Sequence, residues 1–202
     1  MTIRNVYLDC EFLPSDMATT GLISIGLTDD QGVDFYAVNR DMDMLAVESV
    51  PWMVDNVLPY LPVEQSRPGE FELLHYHEDV HPIDRIRDRV AAYFADTDAA
   101  VTHLYAYYGG QDICRLHSLW ENNWGDMPEA IPRWFFDLKA FAVQLGSPEL
   151  PAQDDGEHHA LADARHNRRV HQFLRQRLTA LRELNGGLPP VMTAAQTREA
   201  DR

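Results

Sequence analysis

Asn5-Val6-Tyr7-Leu8-Asp9-Cys10-Glu11-Phe12 is the stretch whose reading decides the fold. Val6, Tyr7 and Leu8 are strand formers with no polar break between them, so the segment reads as a buried strand. Side chains alternate across a strand, which sends Asp9 and Glu11 to the same face. Two carboxylates side by side repel unless a cation sits between them. An isolated Asp-x-Glu is ordinarily a solvated strand end, but this one closes an apolar strand.

Strand-like patterns continue at residues 21–28 and 33–38, joined by the turn Asp29-Asp30-Gln31-Gly32, which makes a hairpin. Residues 51–61 read as a short helix with proline at its start. Residues 66–77 carry no clear period. Ile83, Ile86, Val90, Tyr93 and Phe94 recur at helical spacing through 82–95. An apolar, aromatic strand at 100–108 is broken by Gly109-Gly110, and a helix follows over 111–122. A strand at 133–138 runs into a helix at 139–145, then a polar loop at 148–156. Residues 160–184 form a long amphipathic helix. A hairpin-bearing sheet covered by helices is an α/β architecture. The pattern predicts one domain over 1–185 and a disordered tail over 186–202.

A chain of 202 residues suffices for one domain with a real core. No run of 18 apolar residues and no secretory leader is visible, and the two cysteines, Cys10 and Cys114, read as buried reduced thiols. The expectation is a cytoplasmic protein without a membrane span or disulfide scaffold. The formal charge of −15 opposes broad electrostatic attachment to nucleic acid. Clustered carboxylates escape that objection when they hold divalent cations that face the phosphate.

Two further acids stand where such a cluster needs them. Asp112 follows the glycine break, at the start of a helix. Asp163 lies in Glu157-His158-His159-Ala160-Leu161-Ala162-Asp163, near the start of the long helix. On a continuous helix His159 and Asp163 share a face, whereas His158 would sit further round.

Taken in this order, the motifs resemble the DEDDh exonucleases: a strand-end Asp-x-Glu, an Asp after a strand and glycine break, and His-x-x-x-x-Asp before a C-terminal helix. Tyr-Leu-Asp-Cys-Glu-Phe, Leu-Ile-Ser-Ile-Gly-Leu, Asp-Phe-Tyr-Ala-Val and Val-Leu-Pro-Tyr-Leu-Pro bring the resemblance closest to a small actinobacterial branch of 3′-5′ exoribonucleases. It extends from about Val6 to about Leu174. It implies a ribonuclease-H-like fold, with a mixed central sheet of about five strands flanked by helices. It implies metal ligands at Asp9, Glu11, Asp112 and Asp163 and a general base at His158. Helical spacing favours His159 for that base, so the residues leave both open. The resemblance places Leu22, Ser24 and Ile25 beside the 3′-terminal nucleotide, and implies a homodimer that prefers RNA. Many family members have Thr where this chain has Phe12, while the closer branch also has Phe; the ring reads either as a base-stacking or pocket residue or as plain core packing. Arg133, Trp134 and Arg165 are further candidates for phosphate or base contacts, although surface ion-pairing is the commoner role for any single arginine.

Hard oxygen ligands suit Mg²⁺ or Mn²⁺. A pair of such ions about 3.5–4 Å apart can activate water and stabilise the leaving oxygen of a phosphodiester. A histidine near neutrality suits the proton transfer. The expected activity is release of nucleoside monophosphates from single-stranded RNA 3′ ends. The alternatives are a DNA exonuclease of the same fold, a nucleic-acid-binding module without catalysis, and a zinc protein built on His158, His159, His166 and His171.

Overall fold

The structure is a computed structural model, and it describes residues 2–184. The tail expected at 186–202 lies outside them. β1 (Ile3–Phe12) occupies the interior of a six-stranded sheet, because Val6, Tyr7 and Leu8 are buried on both of its faces. β2 (Leu22–Asp29) pairs antiparallel with β1, and β3 (Asp34–Asn39) antiparallel with β2, forming the expected hairpin.

Two short helices follow, α1 (Met44–Glu48) and α2 (Pro51–Asn56), then a second, two-stranded sheet of β4 (Val63–Arg67) and β5 (Glu70–Leu73). β6 (Val80–His81) adds to β3 in parallel. α3 (Ile83–Ala95) leads to β7 (Val101–Ala106), parallel to β1, and α4 (Gly110–Ser118) to β8 (Phe136–Asp137), parallel to β7. α5 (Leu138–Gln144) and α6 (Ala160–Leu184) close the fold. The main sheet runs β6-β3-β2-β1-β7-β8, a mixed sheet flanked by helices. Its sixth strand, β6, comes from a region that gave no strand pattern in the sequence.

The alternation of β1 divides the core. Val6, Leu8 and Cys10 join Ile25, Leu27, Ile86, Val90, Phe94 and Leu116 on the α3–α4 side. Tyr7 joins Tyr105, Leu138, Val170 and Leu174 on the α6 side. Asp9 and Glu11 share the parity of Tyr7 and therefore face α6.

Three contacts set α6 against the sheet. Gly26, opposite Asp9, has no Cβ to obstruct the helix start: a Cβ there would lie 2.3 Å from the Ala160 carbonyl carbon. Asn167 Nδ2 donates to the Leu8 carbonyl at 3.1 Å. The Tyr7 hydroxyl meets His171 Nδ1 at 2.9 Å. No helix among the described residues is long and apolar enough to cross a membrane.

Candidate active site

Asp9 and Glu11 come at the end of β1, just before its pairing with β2 slips between Glu11 and Phe12. Asp112 sits in the first turn of α4 and reaches back to β1, where its Oδ1 accepts the Cys10 N–H at 2.8 Å. That carboxylate therefore ties α4 to the strand as well as facing the acids. The break before α4 works differently from the sequence expectation. Tyr108, not a glycine, takes the left-handed conformation, with φ +57°. Gly109 is instead needed for closeness, since a Cβ there would stand 2.2 Å from that of Ala106.

Asp163 lies in the first turn of α6. Its Oδ2 accepts the His158 N–H at 2.8 Å and its Oδ1 accepts Gln153 Nε2 at 2.6 Å. His158 has φ +71°, so the chain is not helical there and the helical spacing argument does not apply to it. His159 occupies the capping position: its Nδ1 accepts the Ala162 N–H at 3.4 Å, and its carbonyl accepts the Asp163 N–H at 3.0 Å. Its ring stacks on Tyr36 with centroids 4.4 Å apart. The His158 ring meets Trp52 edge-on at 4.8 Å.

Asp9, Glu11, Asp112, Asp163 and His158 all line one cleft of about 540 Å³. Within it, Glu11, His158 and Asp163 each offer a ligand atom within 4.8 Å of the others. Among the described residues a larger hollow of about 710 Å³ opens near Arg4 and Asp29, which form an ion pair, and it contains no histidine. A third hollow of about 410 Å³ holds Asp137 and His171, but the ligand atoms that converge lie in the cleft of Glu11, His158 and Asp163.

Burial and mutual repulsion disfavour the charged acids. Burial, then Asp163 and Asp112, pushes Glu11 up to about 8. Burial pushes Asp112 up to about 7, against the hydrogen bond from Cys10. Asp9 is held well above the usual carboxylate range by burial and then by Asp112, Asp163 and Glu11. Asp163 is raised by burial, with the Gln153 and His158 hydrogen bonds opposing. A divalent cation would relieve all four, and oxygen donors with one imidazole suit a potential site for one.

The expected substrate-contact residues divide. Phe12 lines the cleft. Leu22 and Ile25 are fully buried in the core, and Ser24, opposite Glu11, is buried with its hydroxyl unpartnered, so none of the three lines the cleft. Arg133 is committed elsewhere: its Nη atoms donate to the carbonyls of Trp124, Met127, Pro128, Glu129 and Ile131. Arg165 pairs with Asp34 at 2.5 Å on the surface. Trp134 packs against Phe136, outside the cleft. Gln153, Trp52 and Tyr108 adjoin the site without having been singled out in the sequence, where no spacing marks them.

No protein-family model matches the chain. The chain is 29% identical over 159 residues to a 3′-5′ exoribonuclease of Mycobacterium tuberculosis strain H37Rv, covering 79% of this chain and 86% of that protein. A 3′-5′ exoribonuclease of strain CDC 1551 gives the same identity and coverage. Among solved structures, a product-bound exonuclease I superposes with a TM-score of 0.56 at 14% identity, over 91% of this chain and 46% of that one. An apo exonuclease I gives 0.56 at 12%, over 91% and 44%. The chain thus spans less than half the length of exonuclease I. With its acids and histidine in one cleft, the chain has the DEDDh-type, ribonuclease-H-like exonuclease fold and is related to the mycobacterial 3′-5′ exoribonucleases.

Proposed function

We propose that this chain is a 3′-5′ exonuclease that releases nucleoside monophosphates from single-stranded nucleic acid, with RNA as the preferred polymer. The observation that carries the reading is the meeting of Glu11, His158 and Asp163 in a cleft also lined by Asp9 and Asp112. Asp9, Glu11, Asp112 and Asp163 would hold two divalent cations, Mg²⁺ or Mn²⁺. Bound there, the ions supply Lewis acidity toward the phosphate and lower the pKa of water.

The remaining work falls to the chain. Gln153 and the His158 N–H fix both oxygens of Asp163. An imidazole nitrogen of His158 accepts the proton of the attacking water. Its backbone is anchored to Asp163, so base and ligand keep a constant relation through the reaction. Phe12 offers a flat apolar surface to the terminal base, a contact worth roughly 1–3 kcal/mol.

The RNA preference rests on the two exoribonuclease relatives. A DNA exonuclease of the same fold is the second reading, favoured by the likeness to exonuclease I over 91% of the chain. The decisive experiment digests matched 5′-labelled RNA and DNA oligonucleotides with Mg²⁺ or Mn²⁺, with Asp9→Ala as control. Stepwise shortening of the RNA first supports the main reading, and of the DNA first the second. Binding without shortening of either would leave a non-catalytic module. The proposal includes a single domain over 1–185 and a homodimer, which light scattering would read.

A further inference from the structure

Arg115 is the largest fully buried side chain among the described residues. It lies on α4, one turn beyond Asp112. Nη2 donates to the Leu13 carbonyl at 2.9 Å, Nη1 donates to the Asp16 carbonyl, and Nε has no partner. Among the described residues it forms no ion pair. Asp16 and Asp112 act on it only without ion-pair contact; a buried charge with no contacting counter-charge is costly, and apolar replacements of similar volume commonly cost a fold less. Its retention therefore calls for work that an apolar side chain would not do.

The guanidinium carbon stands 4.8 Å from the centroid of the Phe12 ring. Phe12 follows Glu11 at the slip in the strand and borders the cleft. After it, the chain turns through a tight loop: the Leu13 N–H donates to the Gly21 carbonyl at 2.8 Å, and a Cβ on Gly21 would meet the Asp16 carbonyl oxygen at 2.0 Å. Arg115 holds two carbonyls of that loop and covers one side of the ring that begins it. Only a planar, many-donor cation does both at once: lysine has the charge but no flat face.

We propose that Arg115 is a positioning residue that fixes the Phe12 ring as a platform for the 3′-terminal base. This rests on the exonuclease reading. The arginine touches neither the reacting phosphate nor an acid of the site. It acts through Phe12, so its effect depends on whether the terminal nucleotide has a base to stack.

The test compares two oligonucleotides, one with an ordinary 3′-terminal nucleotide and one whose terminal sugar lacks its base. Arg115→Met, Arg115→Lys and Phe12→Leu are each expected to raise KM for the ordinary end about tenfold. For the Arg115 variants, KM for the base-free end and kcat for both should change less than about twofold. Combining Phe12→Leu with Arg115→Lys should add nothing further. If Arg115→Met does not fold, the lysine and Phe12 variants carry the comparison. An equal rise for both ends, or an Arg115→Lys protein that behaves as wild type, overturns the proposal. Should the wild-type protein cleave neither end, the exonuclease reading fails instead. Anisotropy of the same two oligonucleotides would then still read whether Arg115 governs discrimination for the base.

Discussion

The backbone N–H of His158 donates to Oδ2 of Asp163 at 2.8 Å, and the side chains of both residues meet Glu11 within 4.8 Å. The same residue is thus held to the acid through its backbone, while its ring, edge-on to Trp52, lines the cleft. Replacing His158 by alanine is expected to reduce turnover by a factor of about 10² or more, while Mn²⁺ affinity, read by calorimetry, stays nearly constant. His159→Ala should keep turnover within a few-fold and lose about 1 kcal/mol of stability through the cap and the Tyr36 stack. The reverse ranking of turnover would make His159 the base, and a parallel loss of Mn²⁺ affinity in His158→Ala would make His158 a ligand.

On the proposed reading Asp112 has two separable jobs, holding the Cys10 N–H and serving the metal site. Asn at this position keeps an oxygen for the Cys10 N–H, so Asp112→Asn is expected to unfold at nearly the wild-type urea concentration while losing most activity and weakening metal binding. Asp112→Ala also orphans a buried N–H, which adds a stability loss of about 1–3 kcal/mol. Equal denaturation midpoints for the two variants would contradict the tie between α4 and β1.

Gly26→Ala tests how α6 is seated. The new methyl would collide with the backbone of Ala160 and Leu161, which no rotamer change relieves. The helix must back away at a cost of about 3 kcal/mol, carrying Asp163 with it. Urea denaturation and a digestion assay should both register the change. Full activity in a destabilised protein would show that the cleft tolerates the displacement.

The raised acids make stability depend on pH in a definite direction. Glu11, ordinarily 4.5, is pushed up to about 8, and Asp112, ordinarily 3.8, up to about 7. Between those values the metal-free native state retains protons that the unfolded chain has released, so stability falls as pH rises. His171 contributes the opposite slope at lower pH: burial brings it from 6.5 down to about 4, and the unfolded chain takes up its proton first. Thermal unfolding from pH 7 to 8.5 without divalent ions should therefore show a falling midpoint. Mn²⁺ should raise the midpoint more at the upper end of that range. A metal-independent slope would argue against the acids as a cation site.

Much of this arrangement was legible because it follows from periodicity. The parity of Asp9 and Glu11 put both on one face, which the structure shows to be the α6 side, and the start of the long helix at Ala160 agrees with its apolar repeat. β4 and β5 were not legible: Glu64, Gln65, Ser66, Glu70 and Glu72 are exposed and polar, so their pairing leaves no alternating apolar signature. The resemblance places Leu22 and Ile25 beside the terminal nucleotide, and the structure buries both in the core beneath it; sequence does not separate an apolar side chain beside a cleft from one beneath it. The partners of Arg133 were not legible either, since it donates to carbonyls that only the folded loop brings together. The orientation of His158 depends on a left-handed backbone that no repeat announces.

The seating of α6 over Gly26 also bears on biosynthesis. Glu11 is translated well before His158 and Asp163, so their cluster requires a contact between residues far apart in sequence. A growing polypeptide can pair its early strands while two of the three cluster residues are still missing. Whatever chemistry that cleft performs, it cannot begin until the start of α6 has been made.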